Sequence, residues 1–486
     1  MLPIAIGWRR EISIVNCTDL HLIEIMTTWR PDPGLLHRPA YRSLADQFAR
    51  AIHDGRLANG ARLPPHRQLA DELKLSVQTV GRAYEALVRQ GLVTGEIGRG
   101  TFVKGVRREP EPPYLPQRLG DVIDLSILKP VCEEMHLTKL KRALAQLAET
   151  LPATSALSFR PNVVFPRHRA VAIEWLKLCG LSVSPLNVTL TNGATSGMTV
   201  ALMTAAPPGS TAATEAIGHH TLLPLASYLG FNLEGLPIDD NGIIPDALDE
   251  ACRRADIRTV FVQPSASNPT ARLMSEARRL ALVEVARKHD ITIIENDVLG
   301  PLIENRPPPI VALAPERTFY VTTFTKITVP GLRVGYLVAP DRFAAAVANR
   351  HLVSNWMATP LVAEIASKWV EDGTAVELML WQRGALHRRH AIAAEVMANV
   401  HYLSHPNSLH LWLPLPDERS EDRFVAQARV EGVGIAPGAS FRISDAPWKP
   451  AVRVSLASTT EEELRSGLSV IANLLVADPE TFLLSI

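Results

Sequence analysis

Five short runs rich in β-branched residues, at 188–190, 259–264, 291–297, 318–324 and 334–340, are separated by long amphipathic stretches such as SEARRLALVEVARKH. Strands that alternate with helical segments pair side by side through helical crossovers, which predicts a mainly parallel sheet covered by helices. The alternation starts near residue 123 and continues towards the C-terminus, so 123–486 is predicted as one large α/β domain. With 47% hydrophobic and 21% charged residues in 486, the chain has ample material for such a core and for a second folded unit.

Ahead of that domain, the proline-rich charged run RREPEPPYLPQRLG within 106–122 predicts a semi-rigid linker. The segment 36–105 reads differently again. Leu44, Phe48 and Ile52 recur at helical spacing, and Gly55 closes that helix. Pro64 and Pro65 stand just before a second helix with Leu69 and Leu73 as its buried stripe. Lys74-Leu75 makes a short turn, Ser76 is the N-cap of a third helix, and Gly91 ends it. LVTGEIGRGTFV then reads as two strands around a glycine-rich tip. Two helices across a short turn followed by a hairpin predict a small α+β winged helix-turn-helix. Residues 1–35 form an N-terminal extension without clear periodicity, in which Met26 is a possible biological start.

Affinity for DNA comes mainly from neutralised phosphates, so a binding segment should be basic even where the whole chain is not. The chain carries 50 Lys/Arg and 50 Asp/Glu, whereas 36–106 holds 11 against 6. The residues of a recognition helix that enter the major groove are its first ones: here Ser76, Val77, Gln78 and Thr79, with Arg82 one turn later. Gln78 can hydrogen-bond base edges, and Thr79 and Arg82 can reach phosphate or base. Arg62 and Arg67 flank the motif, and Arg99 and Gly100 sit at the wing tip. Taken singly, any of these arginines could equally lie on the solvated face of a protein-interaction module. As a whole, LPPHRQLADELKLSVQTVGRAYEALVRQGLVTGEIGRGTFV resembles the GntR-type winged helix, which implies binding to double-stranded DNA. Some relatives place arginine at the positions of Val77 and Gly81, so the base-reading set is left open.

In the large domain, TFTKITVPGLRVGY puts Lys326 after a β-rich run and Arg333 seven residues on, within a Pro-Gly turn. TLTNGATSGMTVAL supplies a strand, a turn at Gly193-Ala194-Thr195 and a helix start, where free N–H groups favour phosphate. An amine able to form a Schiff base, a guanidinium and an anion-binding helix start are what pyridoxal 5'-phosphate requires, together with an acid near its ring nitrogen and a face to stack on.

These pieces in this order resemble the fold-type I aminotransferases, and the fusion resembles the MocR subgroup of GntR regulators. The resemblance implies a multidomain protein, a winged helix-turn-helix followed by an α/β PLP-dependent transferase domain, acting as a homodimer. It makes Lys326 the Schiff-base lysine and places Asn268, in SASNPTARL, against the cofactor's phenolic oxygen. His219 takes the position of the stacking aromatic, and Thr325 a serine position near the phosphate. Arg453, in RVSLAS, becomes the arginine for a substrate or effector carboxylate. His168 and Arg169 fall in a segment with a structural or phosphate-proximal role. One departure concerns the ring nitrogen: relatives read Glu-Asp-Asp followed by Tyr, whereas this chain reads Glu295-Asn296-Asp297-Val298. Either Asn296 or Asp297 faces that nitrogen, and only a carboxylate keeps it protonated.

Three functions follow in order. The first is a transcription regulator whose PLP domain senses the cofactor or an amino compound. The second is a working aminotransferase that retains a DNA-binding head, and the third a cofactor-free scaffold. Four dispersed cysteines without a CxxC pair, no metal-ligand spacing and no membrane-length apolar run point to a cytoplasmic protein without a metal site.

Overall fold

The computed structural model describes residues 29–54, 56–57, 60–89, 92–96, 100–103, 122–161, 165–416, 420–443 and 449–476. The chain divides into two compact units, 1–118 and 119–486. Residues 1–28, the whole proline-rich run 107–120, Gly55, Gly91 and Arg99 lie outside the described residues.

In the first unit, α1 (Ala40–His53), α2 (His66–Leu73) and α3 (Val77–Arg89) precede the strands β1 (Val93–Glu96) and β2 (Gly100–Val103). The strands pair antiparallel, from Val93 with Val103 to Glu96 with Gly100. Leu44, Phe48, Leu69, Val80, Tyr84 and Leu87 share one core, the period-3.6 stripes of three helices meeting at a common centre. Lys74 has a left-handed backbone (φ 52°), which allows the sharp turn between α2 and α3.

The second unit is built on a seven-stranded sheet. Its strands in chain order are β3 (Val188–Thr191), β4 (Thr211–Glu215), β5 (Asn232–Leu236), β6 (Ile257–Val262), β7 (Thr292–Asn296), β8 (Thr318–Thr323) and β9 (Gly335–Val338). Their spatial order is β3-β9-β8-β7-β6-β4-β5. β9 alone runs antiparallel, against both β8 and β3. The reason is length: the 324–334 connection is too short for a helical crossover, so the chain turns back on itself. Both sheet faces are covered. Phe261, Ile294 and Val321 pack on one side with Met198, Val200 and Leu202 of α4 (Ala194–Ala205). Val260, Val262 and Ile293 pack on the other with Leu282 and Val283 of α5 (Glu276–Lys288). This two-residue alternation decides the direction of every side chain at the strand ends.

A smaller antiparallel sheet consists of β10 (Leu403–Ser404), β11 (His410–Pro414), β12 (Ala436–Pro437) and β13 (Ala451–Ser455), in the order β10-β11-β13-β12. Residues following the proline-rich run join this region: Ile123 N–H donates to Gly432 O, Leu125 N–H to Gly434 O, and Ser455 N–H to Leu125 O. That pairing holds Ser126 and Leu128 where the two sheets approach. Among the described residues no helix is long and apolar enough to cross a membrane.

Candidate cofactor site and nucleic-acid interface

The 324–334 connection that reverses the chain carries both Lys326 and Arg333. Arg333 follows the turn Pro330–Leu332 with a left-handed backbone (φ 44°), so its side chain folds back over the end of β3. Its Nη2 lies 2.9 Å from where a Cβ on Gly193 would sit, and the positive φ of Gly193 disfavours any side chain there, so the position is suited to glycine. Gly193 (φ 81°) is also the N-cap of α4, with Ala194 and Thr195 opening the helix. Gly335 is constrained in the same way, since a Cβ there would fall 2.8 Å from the Gly193 carbonyl carbon. Two glycines thus bring a guanidinium onto the start of a helix whose first N–H groups lack intrahelical partners, an arrangement suited to phosphate. Thr325 is buried, its hydroxyl 3.0 Å from that of Thr323.

The Lys326 ε-amine is half-buried and donates to Leu128 O. Burial, and then repulsion from Arg453 and Arg333, brings its pKa down to about 8. Arg453, central in β13, donates through Nη1 to Asn268 Oδ1 (2.8 Å) and through Nη2 to Ser126 O (2.5 Å). Its guanidinium carbon lies 4.8 Å from the Phe441 ring centroid. His219 stacks on His220, with centroids 4.7 Å apart, and its Nδ1 is 2.8 Å from Thr221 Oγ1. Burial, followed by His220, Lys326 and Arg453, holds the His219 pKa well below the usual imidazole value, so the ring is neutral. Lys326, Arg333, Arg453, Asn268 and His219 therefore share one neighbourhood.

Asn296 and Asp297 diverge. Asp297 is fully buried and its Oδ2 accepts from Tyr320 OH (2.8 Å) and pairs with Arg306. A Cβ on Gly300 would fall on that ion pair, which explains the glycine. Arg306 and its hydrogen bonds hold the Asp297 carboxyl below the usual range against the opposing effect of burial. Glu295, on the same side, accepts from Ile310 N–H and Val311 N–H, each at 2.9 Å. Asn296 points to the opposite face, and neither Oδ1 nor Nδ2 has a hydrogen-bond partner in the protein although the residue is 3% exposed. Leaving such buried atoms unpaired costs about 1–3 kcal/mol.

Several participants carry no sequence signal of their own. The carbonyls of Ser126 and Leu128 are backbone groups, and Arg306, Tyr320, Phe441 and His220 gain their roles only through long-range packing. His168 is buried, with its Nε2 3.0 Å from Glu364 Oε1.

In the winged unit, Ser76 caps α3: its Oγ accepts from Thr79 N–H at 3.0 Å. Ser76, Val77, Gln78, Arg82 and Arg67 are exposed and Thr79 is half-buried. The Arg82 guanidinium lies over the Tyr41 ring, 4.2 Å from its centroid, a cation–π contact. Arg62 packs on Gly100, where φ is 123° and a Cβ would sit 2.9 Å from Arg62 Nε. Tyr84 OH donates to Pro64 O at 2.8 Å, tying the Leu-Pro-Pro entry to α3.

Residues 121–471 match the family described as aminotransferase class I and II, and residues 40–103 match the bacterial regulatory proteins of the gntR family. The chain is 26% identical to the uncharacterized HTH-type transcriptional regulator YdeF of Bacillus subtilis, over 92% of this chain and 97% of that protein. It is 28% identical to the HTH-type pyridoxine biosynthesis transcriptional regulator PdxR of Corynebacterium glutamicum, over 63% of this chain and 67% of that one. An archaeal alanine:glyoxylate aminotransferase superposes with a TM-score of 0.68 at 23% identity, covering 73% of this chain and 90% of that one.

Proposed function

Because the chain belongs to the aminotransferase class I and II family and carries a gntR-type winged helix ahead of it, we propose that it is a PLP-dependent, DNA-binding transcription regulator. The observation that carries this reading is the coexistence in one chain of an exposed recognition-helix start and a Lys326 amine beside the Gly193–Arg333 cradle. The residues fit the cofactor. Arg333, Thr325 and the start of α4 at Gly193, Ala194 and Thr195 would hold its phosphate, and His219 would stack on its ring. Asn268 would meet the phenolic oxygen. When bound, pyridoxal phosphate supplies an aldehyde that condenses with an amine and a ring able to withdraw electrons. Lys326, with a pKa near 8, keeps a usable fraction of neutral amine at physiological pH.

Arg453 and Asn268 form a ready site for the α-carboxylate of an amino compound, the class of effector proposed here. The same arginine is what favours a second reading, a working aminotransferase that retains its DNA-binding head. On the resemblance, the working form is a homodimer in the cytoplasm, presenting two heads to paired half-sites of double-stranded DNA. The test is binding of the full-length protein to DNA upstream of its own gene, with and without pyridoxal phosphate. The regulator reading expects the cofactor to change affinity for the wild type and to leave Lys326→Ala unaffected. Turnover of an amino donor and a keto acceptor would favour the enzyme.

A further inference from the structure

Asn296 and Gln382 are both buried with both side-chain polar atoms unpartnered, and of the two it is Asn296 that ends a strand of the seven-stranded sheet, at the C-terminus of β7. Its direction follows from register. Asn296 pairs with Val321 on β8, and in-register neighbours on parallel strands point to the same face. Val321 lies under α4, with its Cγ1 3.2 Å from where a Cβ on Gly197 would be. Two residues back, Ile294 pairs with Phe261 and packs in the same α4-facing cluster, and the His219 ring stands 6.5 Å from Phe261. Asn296 thus shares a face with the start of α4 and with His219. Both neighbouring carboxylates point the other way: Glu295 accepts from two backbone N–H groups, and Asp297 binds Arg306 and Tyr320 through Oδ2, its buried Oδ1 lying on that opposite side without a hydrogen-bond partner.

We infer that Asn296, through its amide N–H, is the partner of the cofactor's ring nitrogen, and that this nitrogen is unprotonated, so the domain captures primary amines without transaminating them. An amide carries no charge with which to hold a buried pyridinium. The guanidinium groups of Arg333 and Arg453, which share this neighbourhood, are cationic and oppose one further. An unprotonated ring nitrogen accepts the Asn296 N–H, which satisfies one of the two orphaned amide atoms.

The chemical consequence is selective. Exchange of one amine for another at the aldehyde carbon needs only nucleophilic attack and proton transfer: an incoming amine forms the new C–N bond and Lys326 leaves as free amine. No net oxidation or reduction occurs. Removal of the α-proton of a captured amino acid is different, because it needs the ring to take up the electron pair, and the neutral nitrogen resists that. Such a site registers amine occupancy and stops there.

This inference rests on the reading that Lys326 holds pyridoxal phosphate, and the experiment separates the two. Full-length protein is loaded with pyridoxal phosphate labelled with 15N in the ring, and its nitrogen resonance is recorded for wild type, Asn296→Asp and Asn296→Ala. The expected wild-type signal lies in the neutral-pyridine range, and Asn296→Asp moves it towards pyridinium. In D2O, loss of the α-proton from an added amino acid should be faster in Asn296→Asp by about tenfold or more, a barrier change near 1.4 kcal/mol. A pyridinium signal in the wild type overturns the inference while leaving the cofactor reading intact. Absence of bound cofactor in the wild type, or equal retention by Lys326→Ala, overturns the cofactor reading itself. Should Asn296→Asp fail to fold, the wild-type resonance still decides, and a pyridinium signal unchanged in Asn296→Ala counts against the inference.

Discussion

Lys326 illustrates how one side chain takes its chemistry from its surroundings. Burial disfavours the ammonium form, and Arg453 and Arg333 add repulsion, so the amine titrates near 8 in place of its usual value near 10.5. At pH 7 about one amine in ten is then neutral and able to attack an aldehyde. The rate of cofactor capture should rise with pH and level off above about 8, which rapid-mixing absorbance at a series of pH values would follow. Arg453→Ala removes a repelling charge, so the midpoint should move to higher pH; an unmoved midpoint would mean the arginine does not act on the amine. The stability consequence has a definite sign. Because the folded-state pKa is lowered, the unfolded chain binds more protons between about 8 and 10.5, and this group's contribution to stability rises with pH across that window. Gly193 is the steric counterpart. Gly193→Ala would combine a strained backbone, costing roughly 1–3 kcal/mol, with a clash against Arg333, and phosphate retention should fall while the winged unit unfolds as before.

At the level of elements, capping and reading can be separated within α3. Ser76→Ala removes the hydroxyl that accepts from Thr79 N–H and should cost about 1 kcal/mol of stability in the winged unit, measured by denaturant unfolding. Gln78 is exposed, so Gln78→Ala should change stability by less than about 0.5 kcal/mol yet weaken binding to the preferred DNA sequence by about 1–3 kcal/mol. Much of this architecture is legible in the sequence because it is local: the proline pair before α2, the Ser76 cap and the five strand runs each announce themselves within a dozen residues. Lys326, Arg333 and Gly193 are legible for the same reason, each lying in a turn whose chemistry is written beside it. Long-range arrangements are not. The antiparallel direction of β9 follows from loop length in three dimensions, and the contact of Leu128 O with Lys326 depends on pairing across about three hundred residues. The roles of Asn296 and Asp297 separate only when the register of β7 against β8 is known, since a shift of one residue would exchange their faces.

For the whole molecule, charge and linkage set what the two units can do for each other. Zero net charge overall hides an N-terminal segment with 11 Lys/Arg against 6 Asp/Glu, so DNA affinity should fall steeply with salt even though the protein is neutral. Arg67→Ala, at an exposed position on α2, should weaken binding to all sequences alike and reduce the salt slope by about 1. Sensing makes a stricter demand. If pyridoxal phosphate changes affinity for DNA by some factor, DNA must change affinity for pyridoxal phosphate by the same factor, because both ligands bias one equilibrium between arrangements of the same chain. Titrating the cofactor into protein with and without a saturating DNA duplex measures that factor from one side, and DNA binding with and without cofactor measures it from the other. Equal factors different from one establish a regulator whose DNA affinity responds to occupancy at Lys326. A factor of one from both sides, with the cofactor bound, would mean that the two units are joined but not coupled, and the aminotransferase-like domain would then serve some purpose other than controlling the head.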